Sequence, residues 1–224
     1  MLYKSYIRNM NTDKKIAALF DLDGVLIDSE SIYTQFWDRM DALYPTGVAN
    51  FSYAIKGTTL PRILDTYFPD PEVQAKLRVH LREQEDNMVY RIFPGVTDFL
   101  KALRAEGIPT AIVTSSNNDK MHALFAQLPG FRELFDVVVT DSDVHRSKPD
   151  PEGYQLAAQR LGVPSAQCAV FEDSRAGLEA GRRAGGKVVA VATTLTHDDI
   201  AGRGDVVIDS FKDFTPAQLR SLFA

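Results

Sequence analysis

The chain has 224 residues, 45% hydrophobic and 25% charged, which is enough to bury a sizeable core and too ordinary a composition for a disordered or fibrous class. Its net charge of −5, from 25 Lys+Arg against 30 Asp+Glu, comes without a basic stripe and argues against general nucleic-acid binding. No apolar run approaches the roughly 20 residues of a membrane-spanning helix, and the lone cysteine, Cys168, excludes an internal disulfide.

A soluble, cytoplasmic protein is therefore expected, with no membrane or nucleic-acid partner; composition leaves the oligomeric state unread, and a monomer is compatible with it. Residues 1–13 are polar and basic, lack the apolar centre of a secretory signal and read as a loose leader, with Met10 a second candidate start. The first strand is predicted at 16–20 and runs into Asp21-Leu22-Asp23-Gly24-Val25-Leu26-Ile27-Asp28-Ser29. Side chains two apart on a strand project to one side, so Asp21 and Asp23 are expected to point together into a crevice at the carboxyl end of the sheet. Gly24 permits a sharp departure there.

From Ser29 to Ile92 no strand pattern appears. Ile32, Phe36, Met40 and Leu43 form one helical stripe, and Val73, Leu77, Leu81 and Met88 form another. Pro45, Gly47, Pro61, Pro69 and Pro71 punctuate the stretch. Phe93-Pro94-Gly95 then marks a return, so a helical insertion is predicted at 29–93 within a core formed by 1–28 and 94–224.

Beyond it, Val96, Phe99, Leu100 and Leu103 share a helical face before a second strand at 110–114. That strand closes in Thr114-Ser115-Ser116-Asn117-Asn118, whose hydroxyls and backbone N–H groups suit either an anion cradle or a helix N-cap. A helix carrying Met121, Leu124, Phe125 and Leu128 leads to a third strand at 137–140. Lys148 precedes Pro149-Asp150-Pro151, where a stiffened chain could aim its ammonium at a phosphate oxygen or leave it in solvent. The fourth strand, 168–172, ends in Phe171-Glu172-Asp173-Ser174; the adjacent carboxylates suit a hard cation or the N-terminus of the next helix. Glycines 177, 181, 185 and 186 read as close packing and a helix stop, and further strands are predicted at 188–192 and 206–208. Alternation of this kind predicts an α/β fold with a mainly parallel sheet covered on both faces.

Individually these polar signals are ambiguous, but together they make a coherent set. Mg²⁺ takes oxygen ligands and keeps waters and substrate phosphate, which carboxylates at Asp21, Glu172 and Asp173 can satisfy on neighbouring strand ends. Thr114 and Lys148 add an anion cradle and a positive charge. The four histidines show no metal-ligand spacing, and neither a dinucleotide nor a P-loop glycine motif is present.

The ordered set Asp21-x-Asp23-Gly-Val-Leu-x-Asp-Ser, Thr114-Ser-Ser, Lys148-Pro-Asp-Pro and Glu172-Asp173-Ser174-x-x-Gly177 resembles the four motifs of the haloacid dehalogenase superfamily. The helical stretch after the first motif is similar to the C1-type cap of its β-phosphoglucomutase-like phosphatases, and the resemblance implies a Rossmann-like core beneath it. The resemblance implies a Mg²⁺-dependent phosphatase for a small phosphorylated metabolite, with Asp21 as the nucleophile that becomes an aspartyl-phosphate and Asp23 as general acid/base. It further implies that Thr114, Ser115 and Lys148 bind the transferring phosphoryl group, and that Asp21, the backbone carbonyl of Asp23, Glu172 and Asp173 hold the metal. Tyr33, Lys56 and Asn118 are candidate specificity residues, and Trp37, Thr58, Arg62 and Arg91 are further ones on the insertion. By spacing, Tyr33 stands where the mutase branch has a cap histidine and Leu60 where it has a phosphate-holding arginine, which favours phosphatase over mutase. Dehalogenases lack the second aspartate that Asp23 supplies. A receiver-type signalling module also uses aspartates, a Thr/Ser, a lysine and Mg²⁺, but needs neither the insertion nor Asp23.

Overall fold

The computed structural model describes residues 15–55 and 60–224. Six strands, β1 (Ala17–Phe20), β2 (Thr110–Val113), β3 (Val137–Val139), β4 (Cys168–Glu172), β5 (Lys187–Val191) and β6 (Val206–Ile208), form one sheet in the order β3-β2-β1-β4-β5-β6. Every neighbouring pair is parallel, with Ala18 opposite Thr110 and Phe20 opposite Phe171 around the central β1. Parallel neighbours require crossovers, which the helices between the strands supply. The strands were expected at nearly these positions because their Val, Ile and Ala runs are buried on both sides.

The helices are α1 (Glu30–Leu43), α2 (Phe51–Ala54), α3 (Leu60–Tyr67), α4 (Pro71–Asp86), α5 (Val96–Ala105), α6 (Asn118–Gln127), α7 (Glu152–Leu161), α8 (Arg175–Ala184), α9 (His197–Ile200) and α10 (Pro216–Ser221). On one face of the sheet Phe20 and Phe171 stack at 4.5 Å between centroids, beneath Phe99 of α5, Phe211 and Phe214. On the other, Ala17, Leu19, Val113 and Val170 meet Tyr154, Ala157 and Ala158 of α7 and Ala180 of α8. The two-residue alternation along β1 therefore sends Phe20 to one layer and Leu19 to the other.

The helices α1 to α4 have their own apolar cluster, in which Phe36, Trp37 and Met40 pack against Phe51, Leu64 and Leu77. Pro71 opens α4 at its first turn, where a missing N–H costs nothing, and the Asp70 carboxylate caps the Glu72 N–H at 2.8 Å. Three members of the predicted stripes fall elsewhere, and one of them, Ile32, packs against the core beside the sheet. Leu43, the last residue of α1, is 62% exposed, and Met88 lies past the end of α4 in the core beside the sheet. The chain leaves and re-enters the sheet body along paired backbone: Asp28 N–H donates to Arg91 O at 2.8 Å and Phe93 N–H to Leu26 O at 3.0 Å.

Candidate active site

The site gathers at the carboxyl ends of β1, β2 and β4, as expected for an open parallel sheet. Strand β1 ends at Phe20, one residue before Asp21, whose N–H continues the ladder to Phe171 O at 3.0 Å. Asp23 lies beyond it in a tight turn closed by Leu26 N–H to Leu22 O at 2.9 Å and Gly24 N–H to Ile27 O at 2.9 Å. The two carboxylates thus share one cavity through turn geometry rather than through strand alternation. Gly24 has φ +80°, and a Cβ there would lie 1.9 Å from the Asp173 carboxylate, so this turn admits no side chain on two grounds.

Lys148, ahead of α7, reaches into the same place. Its Nζ donates to Asp21 Oδ1 at 2.5 Å, to Glu172 Oε1 at 2.6 Å and to Val113 O at 3.1 Å. Glu172 is fully buried and further held by the Tyr154 hydroxyl at 2.8 Å and by the Asp173 N–H, Ser174 N–H and Ser174 hydroxyl. Gly177 leaves the space that this carboxylate occupies, since a Cβ there would fall 1.7 Å from Glu172 Oε1. Burial pushes the Asp21 carboxyl up to about 7, with Lys148 drawing it back and Glu172 adding to the rise. Asp173 is raised well above the usual carboxylate range by burial and by the charges of Glu172 and Asp21.

Asp23 is placed differently. Burial pushes its carboxyl up, but Lys120 and the hydroxyls of Ser29 and Ser116 outweigh that and leave it below its ordinary value. Ser29 Oγ donates to Oδ1 at 2.5 Å, Ser116 Oγ to Oδ2 at 3.0 Å, and Lys120 Nζ to both oxygens at 2.7 and 2.8 Å.

The cavity measures about 340 Å³ and is lined by Asp21, Asp23, Thr114, Ser115, Lys148 and Asp173 among others. Tyr33 also reaches it, from α1. Thr114 is buried and accepts the Ser116 N–H on Oγ1 at 3.0 Å, and the stretch leads into α6 with Asn117 as its N-cap. Asn118 is turned away and accepts from Thr140 Oγ1 at 3.0 Å. Trp37 is buried in the helical cluster and lines a separate cavity beside Tyr33, while the Arg62 and Arg91 side chains are exposed. Lys56 and Thr58 lie outside the described residues.

Asp21, Glu172 and Asp173 each offer an oxygen within 4.8 Å of the others, and no histidine or cysteine joins them among the described residues. Three buried carboxylates facing one ammonium form a hard, oxygen-only and charge-deficient donor set, which fits a divalent cation of the Mg²⁺ type.

A family model described as haloacid dehalogenase-like hydrolase matches residues 17–185, a span that contains Asp21, Thr114, Lys148 and Glu172. The chain belongs to the haloacid dehalogenase-like hydrolases. Hexitol phosphatase A of Escherichia coli is 35% identical over 206 residues, covering 88% of this chain and 92% of that protein. A bifunctional riboflavin kinase/FMN phosphatase of Arabidopsis thaliana is 28% identical over 91% of this chain, which spans only 56% of that relative's length. Among solved structures, a putative beta-phosphoglucomutase from Bacteroides vulgatus superposes with a TM-score of 0.76 at 26% identity, over 93% of this chain and 90% of the other.

Within this hydrolase fold, several contacts around the acidic groups carry no signal in the motifs. Tyr154 is the buried partner of Glu172, and only its packing in three dimensions identifies it, whereas Ser29, the buried partner of Asp23, closes the first motif. Lys120 had a local sign: a lysine in the first turn of a helix opposes the macrodipole, a conflict that marks a position serving something other than the helix. A second cavity of about 320 Å³ shares Glu85, Asn117 and Lys120 with the first, and Tyr90, whose own hydroxyl is buried without a partner among the described residues, stands at its wall.

Proposed function

We propose that the protein is a magnesium-dependent phosphomonoesterase that hydrolyses a small phosphorylated metabolite, a sugar or polyol phosphate, through an aspartyl-phosphate on Asp21 with Asp23 as general acid and base. The observation that carries this reading is one cavity lined by Asp21, Asp23, Thr114, Ser115, Lys148 and Asp173, drawn from four separate stretches of chain. The Asp21 carboxylate attacks phosphorus as the ester P–O bond breaks, dividing the hydrolysis into two easier steps. Asp23 gives a proton to the departing alcohol and then takes one from the attacking water. Lys148 and the Thr114–Ser115 cradle hold the phosphoryl oxygens and oppose their charge. Asp21, Glu172, Asp173 and the Asp23 carbonyl would hold Mg²⁺, which when bound neutralises charge so that an anionic nucleophile can meet an anionic phosphate.

Residues 29–93 act in this reading as a cap that excludes water when seated. The alcohol portion of the substrate extends toward the second cavity, whose lining by Arg78, Arg82, Asp86 and Asn117 suits a polyhydroxylated group. The relative named hexitol phosphatase supports the same class. The reducing cytoplasm proposed for the protein agrees with a buried, unpaired Cys168, and no helix among the described residues is long and apolar enough to cross a membrane.

The test is inorganic phosphate release with Mg²⁺ across sugar phosphates, polyol phosphates, nucleotides and pyrophosphate. Release from a sugar or polyol phosphate that vanishes in Asp21→Asn is expected. A folded, metal-supplemented protein that frees phosphate from none of them overturns the reading, and transfer between positions of one sugar without release replaces it with a mutase.

A further inference from the structure

Lys120 belongs to none of the four motifs, yet its ammonium contacts both oxygens of Asp23, at 2.7 and 2.8 Å, and the Tyr33 hydroxyl at 3.2 Å. Its side chain is 8% exposed. Asp23 and Lys120 stand on the sheet body, whereas Tyr33 is on α1 of the insertion. The Tyr33 hydroxyl donates in turn to Glu85 Oε1 of α4 at 3.1 Å, and its ring lies 5.3 Å from the Lys120 ammonium. A continuous polar chain therefore runs from two helices of the insertion, through one lysine, to a single carboxylate.

A lysine side chain has four rotatable bonds and surrenders roughly 2 kcal/mol of rotamer freedom when fixed. Asp23 alone holds only one end of that freedom. Tyr33 fixes the ammonium from the opposite side, and it does so only while the insertion rests on the sheet.

We propose that Lys120 is a positioning residue: it orients the Asp23 carboxylate toward the leaving-group oxygen, and Tyr33 with Glu85 orients Lys120, so that Asp23 is aligned only with the insertion seated. In its protonated form Asp23 gives that proton to the ester oxygen as the P–O bond breaks, and it is left as the carboxylate that Lys120 and the two serine hydroxyls hold. Lys120 keeps all its protons throughout. The inference rests on the phosphatase reading above, because it assigns Lys120 a role only if Asp23 transfers a proton.

The experiment compares first-turnover rates on two esters: the best alkyl phosphate found in the phosphate-release screen, and 4-nitrophenyl phosphate, whose phenolate departs without a proton. In Lys120→Met the alkyl rate is expected to fall roughly 10- to 100-fold, while the aryl rate stays within about threefold of wild type. Tyr33→Phe shifts the ratio the same way by less, the double variant is no slower than Lys120→Met, and Lys120→Arg recovers part of the alkyl rate. Equal loss on both esters, no loss on the alkyl ester, or additive single effects overturns the proposal. Asp23→Asn separates the two readings. If it turns over the alkyl ester at the wild-type rate, the acid/base assignment itself fails; if it shows the leaving-group dependence and Lys120→Met does not, only the role of Lys120 fails.

Discussion

Lys148 and Asp21 stand 127 positions apart in the chain and 2.5 Å apart in the fold. The same ammonium meets the fully buried Glu172 at 2.6 Å, and burial, which alone would lower its pKa, is outweighed by these two carboxylates. Lys148→Met leaves both acids without their cation. A stability loss of about 3 kcal/mol is expected by urea unfolding in the absence of metal, smaller with Mg²⁺ present, together with a loss of turnover on the order of 10²-fold.

The raised carboxyl of Asp21 has a definite pH signature. Its pKa is 3.8 ordinarily and about 7 here, so the native state binds more protons than the unfolded chain between those values. Its contribution therefore makes the metal-free protein less stable as pH rises from about 4 to 7 and levels off above. Thermal unfolding followed against pH in EDTA should show this slope in the wild type and lack that component in Asp21→Asn. Because a metal requires the deprotonated ligand, Mg²⁺ should flatten the slope and bind more tightly as pH rises toward 7. A pH-independent difference between the two proteins would contradict a raised Asp21 carboxyl.

Gly177 is expected to be intolerant of the smallest side chain. A methyl group at 1.7 Å from Glu172 Oε1 displaces that carboxylate from the Tyr154 and Lys148 contacts. Gly177→Ala should cost about 2 kcal/mol and weaken Mg²⁺ binding, measured by calorimetric titration. By contrast Gly107, around which a Cβ meets nothing within 4 Å but whose φ is +67°, should lose stability on substitution by alanine without changing metal affinity.

Removal of the Tyr154 hydroxyl isolates a single buried hydrogen bond. Tyr154→Phe keeps the ring in its cluster with Leu19, Val113 and Val170 and deletes the donor to Glu172 at 2.8 Å. The expected loss is about 1.5 kcal/mol in denaturant unfolding, with turnover retained more fully than in Lys148→Met.

Strands β1, β2, β4 and β5 were legible as short apolar runs buried almost throughout, and the half-buried edge strands β3 and β6 as runs of Val and Ile, but the strand order appears only in the fold. The acidic groups were legible because they lie at strand ends. The reason offered for the pairing of Asp21 with Asp23 was less good: β1 stops at Phe20, and the turn through Gly24 brings the second carboxylate round. Periodicity overreached at Leu43 and Met88, since a repeat of hydrophobic residues does not say where the neighbouring surface ends. Lys120 and Tyr154 could not be read from spacing at all. Their partners are 97 and 18 positions away, and only the folded chain brings them together.

The two backbone pairings at the foot of the insertion, Asp28 with Arg91 and Phe93 with Leu26, place its departure and return side by side. Sixty-odd residues thus hang from the sheet by a doubled stem, much as a door hangs from one post. The two ends of this excursion are therefore fixed at one place beside the sheet, so its length can change between them without altering the strand order.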